Sequence, residues 1–298
     1  MSVWFKVGVS GWCASALVAT VLAVAGCGAA APAAFPPVRG VAGYWDRSRL
    51  LGARPFRFGG EDLPQPGATA DSRTADTREG LRVGALFEHG ATGNHFCTAS
   101  VVSSPEEDLL ITAAHCINSG KGSGAYNSDI VFIPDYRDGQ EPYGVWTPAK
   151  LLVAPQWASS SNPDYDVGFV ILEPHDGENI EQVLGADHIG DDLSDQYLVH
   201  VTGYPDSGNT PITCVNFTSG FSSTQLRWAC TGYTGGTSGS PWVTRFNDGS
   251  HTGTIVGVIG GYEQGGDTPS VSYSVRFGPA VLALYQQAVA DEPAAAEK

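Results

Sequence analysis

Residues 236–241 read Gly-Thr-Ser-Gly-Ser-Pro, residues 112–116 read Thr-Ala-Ala-His-Cys, and between them Asp166 opens the apolar run Asp-Val-Gly-Phe-Val-Ile-Leu. A serine hydroxyl is almost unreactive at neutral pH, so it needs a neutral imidazole that accepts its proton. The imidazole in turn needs a carboxylate that fixes its tautomer and stabilises the imidazolium. The three segments supply these groups in the chain order His, Asp, Ser. This pattern predicts Ser238 as a nucleophile, His115 as its base and Asp166 as the acid behind the base.

The motifs around His115 and Ser238 resemble those of the trypsin/chymotrypsin-like serine peptidases. The resemblance is closer to the bacterial secreted members, which often carry Gly-x-Ser-Gly-Ser-Pro, and it covers residues 81–288. It implies an exported endopeptidase that acts on polypeptides through an acyl-enzyme and needs no metal or organic cofactor. It also implies an oxyanion hole made by the N–H groups of Gly236 and Ser238, a task that suits a sharply turned loop with few side chains.

The candidate acid has a neighbour of the same kind, because Asp164-Tyr165-Asp166 offers two carboxylates on one face of an extended chain. Asp166 directly precedes the apolar strand, as the acid does in the family. Asp164 lies nearer the loop 159–163. We therefore expect Asp166 to be the acid and Asp164 to be solvated.

Two positions depart from the pattern of the animal enzymes. Thr237 precedes the nucleophile, where members activated from zymogens carry an Asp that pairs with the newly cut N-terminus, and no Ile-Val-Gly-Gly start exists near residue 80. We hypothesise that hydrogen bonds of the Thr237 hydroxyl organise the oxyanion loop, without N-terminal trimming. Gly260 replaces a Ser that supports the acid in many members, so support for Asp166 must come from elsewhere or be weaker.

The resemblance also implies the place of the primary specificity pocket, at Gly232, Gly260, Gly261 and Tyr262. Gly232 lies six residues before the nucleophile, where trypsin-type enzymes place an Asp that pairs with Lys or Arg. Selectivity for cationic side chains by that route is therefore not expected. The His used by glutamyl-specific relatives is missing from residues 257–262. We expect a neutral or small apolar side chain at P1, the substrate residue whose carbonyl is attacked.

The composition favours short strands joined by turns, since only 16% of the residues are charged while Gly and Pro number 38 and 19. Apolar runs from residue 82 to residue 275 have a number and spacing that suit an all-β fold of two six-stranded antiparallel β-barrels. We place the N-terminal barrel at about 81–178 and the C-terminal barrel at about 190–276. Apolar residues at helical spacing predict a closing helix at 277–290, and 291–298 form a tail.

The N-terminal part of the chain is typical of an exported protein. Residues 1–27 resemble a signal peptide that ends in Val-Ala-Gly-Cys, similar to the bacterial lipobox, so Cys27 is a lipidation candidate that would tether the protein to the outer leaflet of the cell membrane. Cleavage after a site such as Ala29-Ala30-Ala31 would release it instead. Residues 28–80 show no sustained period, are expected to bury little and predict a linker or a propeptide.

With Cys13 inside the signal and Cys27 at its end, four of the six cysteines remain; they suit an extracellular, oxidising compartment, and their number alone allows three pairings. Proximity and the family resemblance favour Cys97 with Cys116 and Cys214 with Cys230. Metal binding is not expected, because the sequence contains no paired Cys/His spacing. The formal net charge of −15 argues against nucleic acid as a partner, since phosphates would be repelled. We expect a monomer.

Two alternative functions remain compatible with these residues. One is a catalytically silent binding protein on the same scaffold. The other is an esterase that uses the same three side chains on non-peptide acyl groups. Covalent labelling of Ser238 would separate the first from a peptidase, and the relative turnover of amides and esters would separate the second.

Overall fold

A computed structural model describes residues 41–55, 69–90, 93–121, 124–191, 193–206 and 209–293. The predicted export signal with Cys27 and the end of the tail lie outside the described residues. Within the described ranges, no helix combines the length and the hydropathy that a membrane span requires.

The described residues form mainly strands: β1 Arg54–Pro55, β2 Arg73–Thr74, β3 Val83–Gly90, β4 Gly93–Val101, β5 Leu109–Thr112, β6 Ser128–Pro134, β7 Pro148–Val153, β8 Gly168–Leu172, β9 His188–Ile189, β10 Leu198–Gly203, β11 Ile212–Gly220, β12 Gln225–Trp228, β13 Pro241–Asn247, β14 Thr252–Val258 and β15 Ser272–Val275. The α-helices are α1 Val41–Tyr44, α2 Arg47–Gly52, α3 Thr77–Gly80, α4 Pro155–Ser160, α5 Ile180–Leu184 and α6 Pro279–Asp291. Single 3₁₀ turns lie at Ala114–Cys116, Pro163–Tyr165 and Tyr262–Gly265.

The strands are divided between two sheets. In the first, the order is β6-β3-β4-β5-β8-β7, with β1 parallel to β4. In the second, the order is β15-β12-β11-β10-β13-β14-β9, with β2 beside β11. Among the described residues, six antiparallel strands therefore make up the body of each sheet, as the fold prediction expected, and short two-residue strands are added at the sides.

A shared hydrophobic core joins the two sheets. Leu109 and Ile111 of β5 and Phe169 of β8 pack in the same cluster as Ile255 of β14 and Leu284 of α6. All five side chains are buried. Because β5 leads directly to His115 and β8 follows Asp166, this core holds the candidate residues of the first sheet against the second.

Two large side chains are buried in the part of residues 28–80 that the structure describes. Trp45 is 4% exposed and Leu50 is 2% exposed. Both belong to a cluster with Phe87 of β3 and Tyr204, which follows β10. Most described residues of this stretch are exposed, so it buries only a few side chains, and these fill a surface that the first sheet provides.

The structure contains both disulfides that the resemblance favoured, Cys97–Cys116 and Cys214–Cys230. Their partners are 19 and 16 residues apart in the chain. In the chain-entropy treatment, each such loop stabilises the fold by about 3 kcal/mol. Disulfides of this kind persist in oxidising compartments, which indicates an extracellular protein.

Candidate active site

His115 lies in the 3₁₀ turn that follows β5, and its side chain is 2% exposed. The neighbouring Cys116 is tied by its disulfide to Cys97 of β4, so the turn is fixed to the sheet on one side. On another side the Trp157 ring of α4 lies 6.3 Å from the imidazole, centroid to centroid. The imidazole is therefore held in a rigid setting rather than on a mobile loop.

Asp166 is fully buried and accepts hydrogen bonds from three donors. Its Oδ1 accepts from the backbone N–H of His115 at 3.0 Å. Its Oδ2 lies 2.8 Å from His115 Nδ1 and accepts from the backbone N–H of Gly261 at 2.9 Å. A carboxylate only accepts, so Nδ1 carries the ring proton, and the lone pair of the neutral imidazole then lies on Nε2.

Asp164 has a hydrogen-bond partner in the second sheet. Its Oδ1 accepts a hydrogen bond from Gln225 Nε2 at 2.9 Å, and the same amide nitrogen donates to the carbonyl of Pro163 at 3.1 Å. Asp164 is thus a partly buried partner of β12, whereas we expected a solvated side chain. The reason is tertiary, because Gln225 belongs to the second sheet and cannot be recognised as a neighbour from the sequence.

The loop of Ser238 is anchored to β4 of the first sheet. The N–H of Thr98 donates to the carbonyl of Ser238 at 2.8 Å, and the Thr98 hydroxyl donates to the carbonyl of Gly236 at 3.0 Å. A Cβ added to Gly239 would lie 2.0 Å from the carbonyl oxygen of Thr98 and 3.1 Å from the backbone nitrogen of Ala113. This close approach brings the loop against the segment that ends in His115.

Thr237 makes the kind of contact that the sequence hypothesis required. Its side chain is 2% exposed, and its hydroxyl donates to the carbonyl of Thr234 at 2.7 Å. The hydroxyl of Ser240 in turn donates to the carbonyl of Thr237 at 2.6 Å. These bonds close the turn around Ser238 within the loop itself.

Support for Asp166 comes from a backbone group that the sequence reasoning missed. A Cβ at Gly260 would lie 2.9 Å from the carbonyl oxygen of Asp166 and 3.2 Å from its Oδ2, so a side chain is excluded there. The next residue, Gly261, adopts a φ of +84° and donates its N–H to that carboxylate. The adjacent pair of glycines was the available signal, because glycine tolerates both the close approach and the positive φ.

A cavity of about 340 Å³ opens beside Ser238. None of the four predicted pocket residues, Gly232, Gly260, Gly261 and Tyr262, lines it. A Cβ at Gly232 would lie 2.7 Å from Ser72 Oγ and 3.3 Å from Ile212 Cδ1, and neither of these residues lines the cavity. The walls come from 233–235, 237–238, Ile259, 263–269 and Ser272, and they include the carboxyl groups of Glu263 and Asp267.

The family model of the Trypsin family matches residues 73–278. The chain belongs to the Trypsin family. It is therefore a trypsin-like serine peptidase, a hydrolase of the endopeptidase type, and its two packed sheets with a C-terminal helix form a chymotrypsin-like fold. The family match begins at β2 and ends just before α6.

Solved structures of serine proteases are similar to this trypsin-like peptidase, in agreement with the family assignment. It is 26% identical to the protease Anisep from Arthrobacter nicotinovorans, with a TM-score of 0.66 over 74% of this chain and 100% of the other. It is also 26% identical to the thermostable serine protease AL20 from an extremophilic microorganism, with a TM-score of 0.64 over 72% of this chain and 100% of the other. A Glu endopeptidase that is 16% identical shares the fold, with a TM-score of 0.59 over 74% of this chain and 98% of the other. No curated protein matches the sequence.

One group of potential metal ligands comes together in the described part of the peptidase, formed by Cys97, His115 and Cys116. Both sulfur atoms belong to the disulfide that fixes the His115 turn. A disulfide sulfur is not a thiolate, and thiolates are the form in which cysteine binds metals. The proximity of the three residues is thus explained by the disulfide.

Proposed function

We propose that this protein is an exported serine endopeptidase in which Ser238, His115 and Asp166 act as a catalytic triad. The observation that carries the proposal is the buried pair of His115 Nδ1 and Asp166 Oδ2, 2.8 Å apart, beside the loop of Ser238. An imidazole held in this way keeps its Nε2 lone pair available for a serine proton. That is the requirement for nucleophilic attack by a hydroxyl at neutral pH.

In the proposed reaction, Ser238 Oγ attacks the carbonyl carbon of the scissile bond while its proton passes to His115 Nε2. The negative charge of the tetrahedral intermediate lies on the former carbonyl oxygen, which accepts from the N–H groups of Gly236 and Ser238. The C–N bond then breaks, and His115 gives its proton to the leaving amine. Water repeats the same steps on the acyl-enzyme, which releases the acid and restores Ser238. Every proton lost is regained within the cycle.

The cavity beside Ser238 supports a substrate class different from the neutral or small P1 residue that the sequence led us to expect. Two carboxyl groups, Glu263 and Asp267, line it, and no Lys or Arg is among the described residues of its wall. A cationic side chain would be attracted into such a cavity, since opposite charges gain most where water is partly excluded. We therefore propose Lys or Arg at P1, recognised by a segment that follows Gly261.

We also propose that the protein is exported and that a lipid on Cys27 tethers it to the membrane. The two disulfides support a location outside the cytoplasm. The lipid anchor on Cys27 rests on the sequence pattern alone. Mass spectrometry of the N-terminal peptide from purified membranes and from culture medium would show whether the mature chain begins with an acylated cysteine or further downstream.

The catalytic proposal is tested by incubating the full chain with a fluorophosphonate and locating the adduct by peptide mapping. We expect stoichiometric labelling of Ser238, none in Ser238→Ala, and strongly reduced labelling in His115→Ala. Absence of labelling in the natural chain would favour a silent binding protein. If labelling occurs but peptide amides are not turned over while simple esters are, the esterase alternative is correct.

A further inference from the structure

The segment of residues 41–55 packs against the group of aromatic rings that supports the loop of Ser238. Trp45 is buried, and its indole N–H donates to the carbonyl of Asp129 at 2.7 Å. Its ring lies 5.3 Å from the Phe87 ring, centroid to centroid. Leu50 from the same segment joins this cluster.

Two chains of ring contacts lead from Phe87 towards Gly236. In one, Phe87 contacts Phe96, with centroids 6.1 Å apart. In the other, Phe87 contacts Tyr136 at 5.2 Å, and Tyr136 contacts Tyr204 at 6.2 Å. Both chains start at the ring on which Trp45 rests.

Both chains end at the backbone of Gly236. A Cβ added to this glycine would lie 2.3 Å from Phe96 Cε2 and 2.6 Å from the carbonyl oxygen of Tyr204. The ring and the carbonyl therefore already touch the Gly236 backbone, whose φ is +89°. A shift of either group would move the peptide that supplies one of the two proposed oxyanion donors.

The same segment also holds the strand that carries Phe96. In the parallel pairing of β1 with β4, Pro55 lies opposite Phe96. The Tyr44 hydroxyl donates to Asn94 Oδ1 at 2.9 Å, two residues before Phe96 on β4. The segment thus contacts β4 by backbone pairing and by a side-chain hydrogen bond, and its rings pack on Phe87 of the neighbouring strand β3.

We propose that residues 41–55 are a positioning strap for the oxyanion loop, and that Trp45 is its principal positioning residue. The strap belongs to the working enzyme and is not a propeptide to be removed. This inference rests on the proposed role of Gly236 and Ser238. Because the strap reaches the loop through these rings and lines no part of the cavity, its loss should lower the acylation rate and kcat with little change in KM.

The test compares Trp45→Ala, Trp45→Phe and the control Leu284→Ala in the full chain. Leu284 is a buried residue of α6 in a different cluster, so its truncation destabilises the fold without touching the strap. Each variant is assayed at the same interval below its own Tm, with active sites counted by fluorophosphonate. The quantity compared is the acylation rate per titrated active site. We expect this rate to fall by about tenfold or more in Trp45→Ala. It should stay within about threefold of the natural chain in Trp45→Phe and within about twofold in Leu284→Ala.

Hydrogen–deuterium exchange of the peptide spanning residues 232–242 gives a second readout that does not depend on catalysis. We expect faster exchange in Trp45→Ala than in Leu284→Ala, with Trp45→Phe close to the natural chain. If Trp45→Ala fails to fold, Leu50→Ala replaces it, with the same expected direction.

Equal effects of the strap variants and Leu284→Ala on rate and exchange would overturn the proposal, as would an unchanged acylation rate in Trp45→Ala. A natural chain that is not labelled at all would refute the catalytic proposal instead. The exchange measurement would still decide whether the strap orders the loop.

Discussion

Replacing Asp166 with Asn is expected to lower kcat/KM on a peptide amide by about 10⁴-fold. The two side chains have the same shape, but Asn offers one acceptor and one NH2 donor where Asp offers two acceptors. Asp166 faces three donors, namely the backbone N–H of His115, His115 Nδ1 and the N–H of Gly261. No orientation of the amide can satisfy all three.

The two orientations fail in different ways. If the NH2 group takes the place of Oδ2, it faces Nδ1 and the Gly261 N–H, so Nδ1 must accept and the ring proton moves to Nε2. That tautomer cannot take the proton of Ser238. If the NH2 group takes the place of Oδ1, the useful tautomer survives, but the backbone N–H of His115 loses its acceptor and the imidazolium loses its counter-charge.

The size of the effect follows from the burial of the site. A buried donor left without an acceptor costs about 1–3 kcal/mol of stability. A 10⁴-fold loss of rate corresponds to about 5 kcal/mol of transition-state stabilisation. Asp166 is fully buried, so water cannot restore either loss. We therefore expect a modest fall in Tm and a large fall in activity.

The assay measures kcat/KM on a Lys-P1 peptide amide together with Tm, in Asp166→Asn and in the matched control Asp164→Asn. Asp164 accepts at Oδ1 from Gln225, a role that the carbonyl of Asn can keep. We expect the control to stay within about threefold of the natural chain, since a partly exposed hydrogen bond contributes little. Comparable losses in both variants, or an Asp166→Asn enzyme with more than about a tenth of natural activity, would refute the reasoning.

Three further results are expected. Thr237→Val removes the hydroxyl that donates to the carbonyl of Thr234 at 2.7 Å. It should slow acylation by about tenfold, which corresponds to a net hydrogen bond of about 1.5 kcal/mol. Removal of the residues before 41 should leave the acylation rate unchanged, and a rate that rises on this truncation would contradict the role given to Thr237. Asp267→Asn should lower kcat/KM for substrates with Lys or Arg at P1 by about tenfold or more and leave kcat/KM for neutral P1 residues nearly unchanged. A peptide-library cleavage profile that is the same in the variant and the natural chain would show that Asp267 does not determine specificity. Burial raises the pKa of Glu88 from 4.5 to about 8, and neither of its carboxyl oxygens has a hydrogen-bond partner among the described residues. The folded chain keeps this proton up to about pH 8 while the unfolded chain releases it near pH 4.5, so the stability that Glu88 contributes is lost as pH rises through this window, by an amount on the order of 5 kcal/mol. Glu88→Gln should reduce the slope of the unfolding free energy against pH between about pH 4.5 and pH 8. A slope equal to that of the natural chain would contradict the raised pKa of Glu88.

Much of the strand pattern follows from the order of the amino acids alone, and the exceptions have physical causes. Strand β5, Leu109–Thr112, is a short apolar run directly after the polar stretch 103–108, a pattern that is visible in the sequence. Strand β11 runs from Ile212 to Gly220 and includes residues without such a pattern. Thr218 is buried whereas Ser219 and Gly220 are exposed, and all three residues pair with β12. Such pairing is a tertiary property.

The sequence by itself predicted which side chains could do the chemistry, because candidates for a nucleophile, a base and an acid are recognised by residue type and by the short motifs around them. It also determined the fold class, since alternating apolar runs and turn residues act locally. Only the tertiary structure decided what surrounds these side chains. The Gly261 N–H behind Asp166, the carboxyl groups of the cavity and the burial of Trp45 all arise from segments distant in the chain. Contacts of this kind depend on how two sheets pack, and no local pattern encodes them.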